Sequence, residues 1–167
     1  MVRSLYLIRH ADAEYLSQGQ SDHERALTRD GLANAGKLGL NFKKAKVIPN
    51  KILCSTALRA RSTAETLCDQ LGIADSLIHL EAELYESSVR ILLQSINGLD
   101  ETHKVVFMVA HNPSISYLAE YLTDDTAGNM VPGSACQIDF EDMAWAEVSQ
   151  KSGRLISYTD PNRLNTQ

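Results

Sequence analysis

A chain of 167 residues with 44% hydrophobic and 22% charged residues has the composition of a globular protein, and no window approaches the roughly 18 uninterrupted apolar residues of a membrane span. Its formal net charge of -5 argues against general affinity for nucleic acid or an anionic membrane, both of which want a basic face, so any cationic site must be a local pocket. Cys54, Cys68 and Cys136 are odd in number and lack a C-x-x-C pair, which excludes a disulfide framework or a zinc ribbon and leaves them as buried small hydrophobes. The length fits one domain over residues 1–167. The apolar run Leu5 to Ile8 is too short for a secretory h-region, so a cytoplasmic location is expected.

The elements follow from periodicity. Ser4 to Ile8 reads as a short buried strand ending on Arg9 and His10, and a long polar loop runs from Asp12 to Ala26. Thr28 suits the N-cap of a helix through about Lys44, with Leu32, Ala35, Gly39 and Phe42 on its inner face. After Pro49-Asn50 comes a strand, Lys51 to Cys54, and then apolar residues from Ala57 to Leu71 at intervals of three and four. Gly72 closes that helix. A third strand is expected near Leu77 to Leu80, and a helix carrying Val89, Leu92, Leu93 and Ile96 ends at Asn97-Gly98. Lys104 to Ala110 reads as a strand buried on both faces, followed by a helix capped by Asn112 with Pro113 at its first position. Cys136 to Phe140, Ala144 to Val148 and Leu155 to Tyr158 read as further strands. The alternation predicts a three-layer α/β/α sandwich with a mostly parallel sheet and late antiparallel strand structure.

In this arrangement polar groups stand at the carboxyl ends of three strands: Arg9 and His10, Ser55, and His111. Such ends face one crevice, the usual address of a ligand in a parallel sheet. Arg59, one turn into the helix after Ser55, can reach back over the same edge. Two arginines, two histidines and two helix N-termini make an anion site, and the rigid fork of Arg suits phosphate oxygens. A neutral imidazole is a competent nucleophile toward phosphorus, which permits a covalent phosphohistidine intermediate. No Walker-type glycine loop is present. His10 and His111 with Asp12 and Glu14 could be imagined around a metal, but an arginine-lined pocket disfavours a cation, so neither a metal nor a cofactor is expected.

These segments resemble the histidine phosphatase superfamily, which includes cofactor-dependent phosphoglycerate mutase. Leu7-Ile8-Arg9-His10-Ala11 resembles its Arg-His-Gly motif, Ser55 to Ala64 its S-x-x-x-R-A-x-x-T-A segment, and Val109-Ala110-His111-Asn112 its late strand ending in a second histidine. The resemblance implies a phosphoglycerate mutase-like fold in which His10 is the phosphorylated nucleophile, Arg9 and Arg59 bind the phosphoryl group and His111 completes the pocket. The compact length and Arg25-Ala26-Leu27-Thr28-Arg29-Asp30-Gly31 are similar to the R-x-L-T-x-x-G segment of the small SixA-type phosphohistidine phosphatases. That implies Arg25 as a further phosphate ligand; Ser55 and Asn112 join it as candidate phosphate contacts.

Two departures matter. Ala11 stands where the family usually has Gly, and Glu83 and Glu86 are available as a general acid without sitting in a clear motif. An imidazole leaves more readily than an alkoxide, so a missing acid points toward phosphoramidate substrates. One helix and one strand fill the interval from Glu83 to His111, leaving no room for a lid. The expected function is therefore dephosphorylation of phosphohistidine on a partner protein such as a phosphotransfer domain, with phosphate or another oxyanion in the pocket. A phosphomonoesterase acting on a small metabolite through Glu83 or Glu86, and a non-catalytic phosphate-binding regulatory module motivated by Ala11, are the alternatives.

Overall fold

The computed structural model describes residues 1–125 and 128–164. Its strands are β1 (Val2–Arg9), β2 (Lys51–Ser55), β3 (Ile78–Glu81), β4 (Val105–Ala110), β5 (Ala135–Glu141) and β6 (Arg154–Thr159), and its helices α1 (Arg29–Lys44), α2 (Leu58–Leu71), α3 (Val89–Asn97) and α4 (Ser114–Thr123). They form a single six-stranded sheet in the order β3-β2-β4-β1-β5-β6. The first four of these strands run parallel, and β5 and β6 antiparallel to their neighbours.

Alternation along the central strands builds two cores. Leu5 and Leu7 of β1, with Val106 and Met108 of β4, face Leu92 and Ile96 of α3 and Leu118 of α4. Tyr6 and Ile8, with Phe107 and Val109, face Leu38 and Phe42 of α1 and Leu67 of α2. Successive side chains on a strand point to opposite faces, so each central strand needs a continuous apolar run. The expected α/β/α sandwich is the observed one, and its parallel core places the carboxyl ends of β1, β2 and β4 together. All three cysteines are buried and unpaired. Among the described residues, no helix is long and apolar enough to cross a membrane.

Helix ends follow local chemistry. Thr28 caps α1 by accepting from Gly31 N at 2.9 Å, Ser88 caps α3 by accepting from Ile91 N at 3.3 Å, and Gly72 ends α2 at φ +67°. Three local expectations are corrected. Leu32 is 48% exposed, because the inner face of α1 runs through Gly31, Ala35 and Leu38. Asn112 does not cap α4: its Oδ1 accepts from Ser116 Oγ at 2.6 Å and its Nδ2 donates to Met130 O at 3.2 Å, while Pro113 precedes the helix and is not its first residue. Ala144 to Val148 is not a strand but a 3-10 turn over Trp145–Glu147, where the buried indole donates from Nε1 to His103 O at 2.7 Å.

Gly31 has a packing role. A Cβ there would stand 2.1 Å from the Asp12 carbonyl oxygen, which also accepts from Thr28 N at 3.0 Å. Gly31→Ala is expected to cost roughly 1–3 kcal/mol or more in urea unfolding, as overpacking against backbone does. Gly36→Ala, also in α1 but with only Gln70 Nε2 at 4.0 Å, should be neutral or stabilising.

Candidate active site

Parallel pairing brings the two histidines together. Arg9 lies opposite Ala110 in the β1–β4 register, and His10 N donates to Ala110 O at 3.1 Å, so His10 and His111 leave adjacent strands side by side. Their ring centroids are 5.0 Å apart. Arg9, His10, Arg25, Arg59, His111 and Asn112 all line one cavity of about 310 Å³. A larger groove of about 760 Å³ between α3 and α4, lined by Val89, Leu93, Tyr117 and Tyr121, holds no histidine or cysteine.

Hydrogen bonding fixes the ring protons. His10 Nδ1 lies 2.7 Å from the Ala11 carbonyl oxygen. A carbonyl only accepts, so Nδ1 carries the proton and Nε2 of the neutral ring carries the free lone pair. His111 is set the other way round. Its Nε2 lies 2.7 Å from Ser55 Oγ, which accepts from Ala57 N at 3.2 Å; giving its proton to the ring satisfies the serine as donor as well as acceptor. The His111 proton then sits on Nδ1. Burial pushes His10 down to about 4, helped by the nearby cations of Arg59, Arg9 and Arg25, and pushes His111 down to about 3. Both rings are neutral at pH 7.

The arginines are held by backbone and by one carboxylate. Arg9 donates from an Nη to Met130 O at 2.8 Å. Arg59 donates from its two Nη atoms to Asp22 O at 2.8 Å and Asp22 Oδ2 at 3.0 Å. Arg25 donates from Nε to Asp22 Oδ1 at 2.9 Å and from Nη to Glu14 O at 3.0 Å. Tyr85 Oη gives Asp22 Oδ2 a further hydrogen bond of 2.5 Å, and this bond, with those from Arg59 and Arg25, holds the carboxyl down to about 2. Asp22 thus grips the end of the Arg59 fork and leaves its Nε side uncommitted. Among the described residues, four buried side-chain nitrogens have no protein partner: Arg3 Nε, Arg9 Nε, Arg59 Nε and His111 Nδ1. The last three are on residues that line this one cavity, and each is an N–H donor. Buried donors left without acceptors are costly, so their convergence marks a place for an anion.

Ser55 contacts the cavity through His111, whereas Asn112 lines it directly. Glu83 is exposed and lines neither this cavity nor the one beside it; Glu86 lines the adjoining compartment. Ser134 donates to Val131 O at 2.6 Å within the turn before β5. Ala11 is fully buried against Leu27 and Ala35, and it is not among the residues with positive φ, so its methyl is accommodated without strain. Sequence reasoning missed Asp22 and Tyr85, and it matched Thr63 as the threonine of the S-x-x-x-R-A-x-x-T-A segment without giving it a role. Thr63 Oγ1 accepts from Ala11 N at 3.0 Å and donates to Arg59 O at 2.8 Å, tying the loop after β1 to α2. Among the described residues, no group of three or more His, Cys, Asp or Glu is arranged to hold a metal.

Residues 5–93 match the histidine phosphatase superfamily, branch 1. The chain belongs to that superfamily. An uncharacterized protein of Mycobacterium tuberculosis is 28% identical over 163 residues, covering 92% of this chain and 99% of its own. Two solved structures share the fold closely and are candidate SixA phosphohistidine phosphatases. That from Agrobacterium tumefaciens is 25% identical, with a TM-score of 0.82 over 95% of this chain and 98% of its own. That from Nakamurella multipartitia is also 25% identical, with a TM-score of 0.81 over 96% of this chain and 97% of its own. This histidine phosphatase chain is therefore of SixA type.

Two outcomes test the geometry. Removing the hub with Asp22→Ala should lower kcat/KM at least tenfold in steady-state kinetics while the circular dichroism spectrum is unchanged, since each charge-assisted hydrogen bond is worth about 1.5–3 kcal/mol. The buried histidines bear on stability. Their folded pKa values, about 4 and about 3, lie below the ordinary 6.5, so the unfolded chain binds more protons in that window and stability falls as pH drops from 6.5 toward 3. Thermal unfolding at pH 7 and pH 4.5 should show this loss, and a His10→Asn/His111→Asn double variant should show less of it.

Proposed function

We propose that this protein is a metal-independent phosphatase working through a covalent phosphohistidine on His10, with phosphohistidine on a partner protein such as a phosphotransfer domain as its substrate. The observation that carries the reading is that His10, whose Nδ1 is taken by the Ala11 carbonyl, lines one cavity with Arg9, Arg59 and His111, each of which carries a buried nitrogen without a protein partner. The chain 1–167 acts as one catalytic domain, in the cytoplasm.

The chemistry follows from the protons. The His10 lone pair attacks phosphorus in line, the N–P bond of the substrate breaks, and its electron pair stays on the departing ring nitrogen. Arg9, Arg59 and His111, with Arg25 and Asn112 at the edge, hold the equatorial oxygens, where preorganised donors stabilise developing charge. Because His10 Nδ1 keeps its proton on the Ala11 carbonyl, phosphorylated His10 is an imidazolium and leaves as a neutral ring in the second step. Water supplies the oxygen of the released phosphate. No proton donor to an oxygen leaving group is needed, which agrees with the position of Glu83 outside the cavity. Burial of His10 keeps the nucleophile unprotonated at neutral pH. The names of the two SixA-type neighbours point to the same substrate class.

Incubation with a phosphotransfer domain labelled on histidine tests this. The wild type should remove the label and release phosphate in the presence of a chelator, and His10→Ala should lose at least a thousandfold of the rate. Equal loss of label with both proteins, or none with either, would contradict it.

A further inference from the structure

The phosphate cavity adjoins a second compartment of about 340 Å³ that shares Arg59, His111 and Asn112 with it. His10 lines the first compartment and not the second. In-line displacement puts nucleophile and leaving group on opposite sides of phosphorus, so with His10 in the first compartment the leaving group lies past Arg59 and His111, in the second.

The lining of that second space is selective. Its cation is Arg59, whose two Nη atoms are already committed to Asp22. Its carboxylates are Asp22 and Glu86. Asp22 is satisfied by Arg25, Arg59 and Tyr85, whereas Glu86 takes part in no hydrogen bond or ion pair among the described residues. Tyr85 adds a ring edge-on to His111 at 5.7 Å, and Ser87 a hydroxyl. An anionic leaving group, such as a second phosphate or a carboxylated sugar acid, meets two carboxylates there and is repelled. A flat ring carrying an N–H is accepted.

We propose that Glu86 is a specificity-determining residue that accepts a hydrogen bond from the distal ring N–H of the substrate's phosphohistidine. This rests on the phosphatase reading above and assigns the leaving-group side of the same site. The distal proton decides the reaction: when that nitrogen is protonated, the P–N bond breaks with its pair going to a neutral imidazole, and when it is not, an imidazolate must leave. A carboxylate at the distal nitrogen favours the protonated ring. Glu86 then does for the substrate what the Ala11 carbonyl does for His10. The transferring phosphorus lies between two imidazoles, each with its far nitrogen protonated against an oxygen acceptor.

The test compares two substrates on wild type, Glu86→Gln and Glu86→Ala. N-phosphoimidazole has the ring; p-nitrophenyl phosphate has an oxygen leaving group with no N–H. Both variants should lose about tenfold or more in kcat/KM on phosphoimidazole and stay within twofold of wild type on p-nitrophenyl phosphate, the size of effect set by one hydrogen bond to a charged group. Equal losses on both substrates, or none on phosphoimidazole, overturn the assignment. Acid-quench labelling of His10 in the wild type separates the two levels of the account. Labelled His10 with no substrate-selective loss overturns the role of Glu86 alone; no label from either substrate overturns the phosphatase reading and this inference with it.

Discussion

One short hydrogen bond decides what this site can do. With Nδ1 of His10 donating to the carbonyl of Ala11 at 2.7 Å, the ring has a single free lone pair, and that lone pair is on the nitrogen facing the arginine-lined cavity. The rest of the fold holds that carbonyl still. Ala11 N is tied to Thr63 of α2, Gly133 N donates to the carbonyls of Arg9 and His10, and the methyl of Ala11 packs on Leu27 and Ala35. Gly133 is at φ +78°, which a residue with a side chain adopts only at a cost, so the turn beneath His10 is fixed by glycine there and not at position 11. The family glycine can be lost because the strained position is elsewhere.

The second constraint is electrostatic. Three arginines share one small cavity and repel one another; beyond burial, Arg59, Arg9 and Arg25 lower the pKa of His10, and Arg59 and Arg9 lower that of His111. Asp22 offsets this. A single carboxylate orients two guanidinium groups, takes a third hydrogen bond from Tyr85, and still leaves the Nε side of Arg59 without a protein partner. Because it sits on a 3-10 turn in the long polar loop, 48% exposed in its side chain, the arginine geometry depends on the path of that loop. The loop is anchored at both ends by the bridge Ala13–Leu27 and by Thr28, whose hydroxyl also donates to Asp12 Oδ2 at 3.0 Å.

The fold was legible because its strands are buried on both faces. Val-Val-Phe-Met-Val in β4 and Leu-Tyr-Leu-Ile in β1 leave few readings other than central parallel strands, and such strands bring their ends together whatever the loops do. His10, Arg59 and His111 were legible for the same reason, as residues at strand ends or one turn beyond. Asp22 and Tyr85 were not, and Thr63 was legible only as a motif position without a task. Asp22 is one of several acids in a loop without periodicity, Tyr85 follows a 3-10 turn with no sequence signature, and the task of Thr63, a matched motif position, shows only when its hydroxyl is seen between Arg59 O and Ala11 N. Residue type marks the groups that do chemistry. Positioning groups are marked only by contact. The misreading of Ala144 to Val148 has a related cause, since an apolar stretch around a buried Trp looks like a strand when the indole partner, His103 O, is far away in sequence.

The central claim is that phosphorus passes through His10, and its stereochemistry records the path. Each in-line displacement inverts phosphorus, so two successive displacements restore the starting configuration, whereas direct attack by water inverts it once. A phosphoramidate made chiral at phosphorus with sulfur and oxygen isotopes, hydrolysed by the wild-type protein in isotopically labelled water, gives a product whose configuration can be read. Retention is the result predicted by a nucleophilic His10 held by Ala11. Inversion would contradict the account.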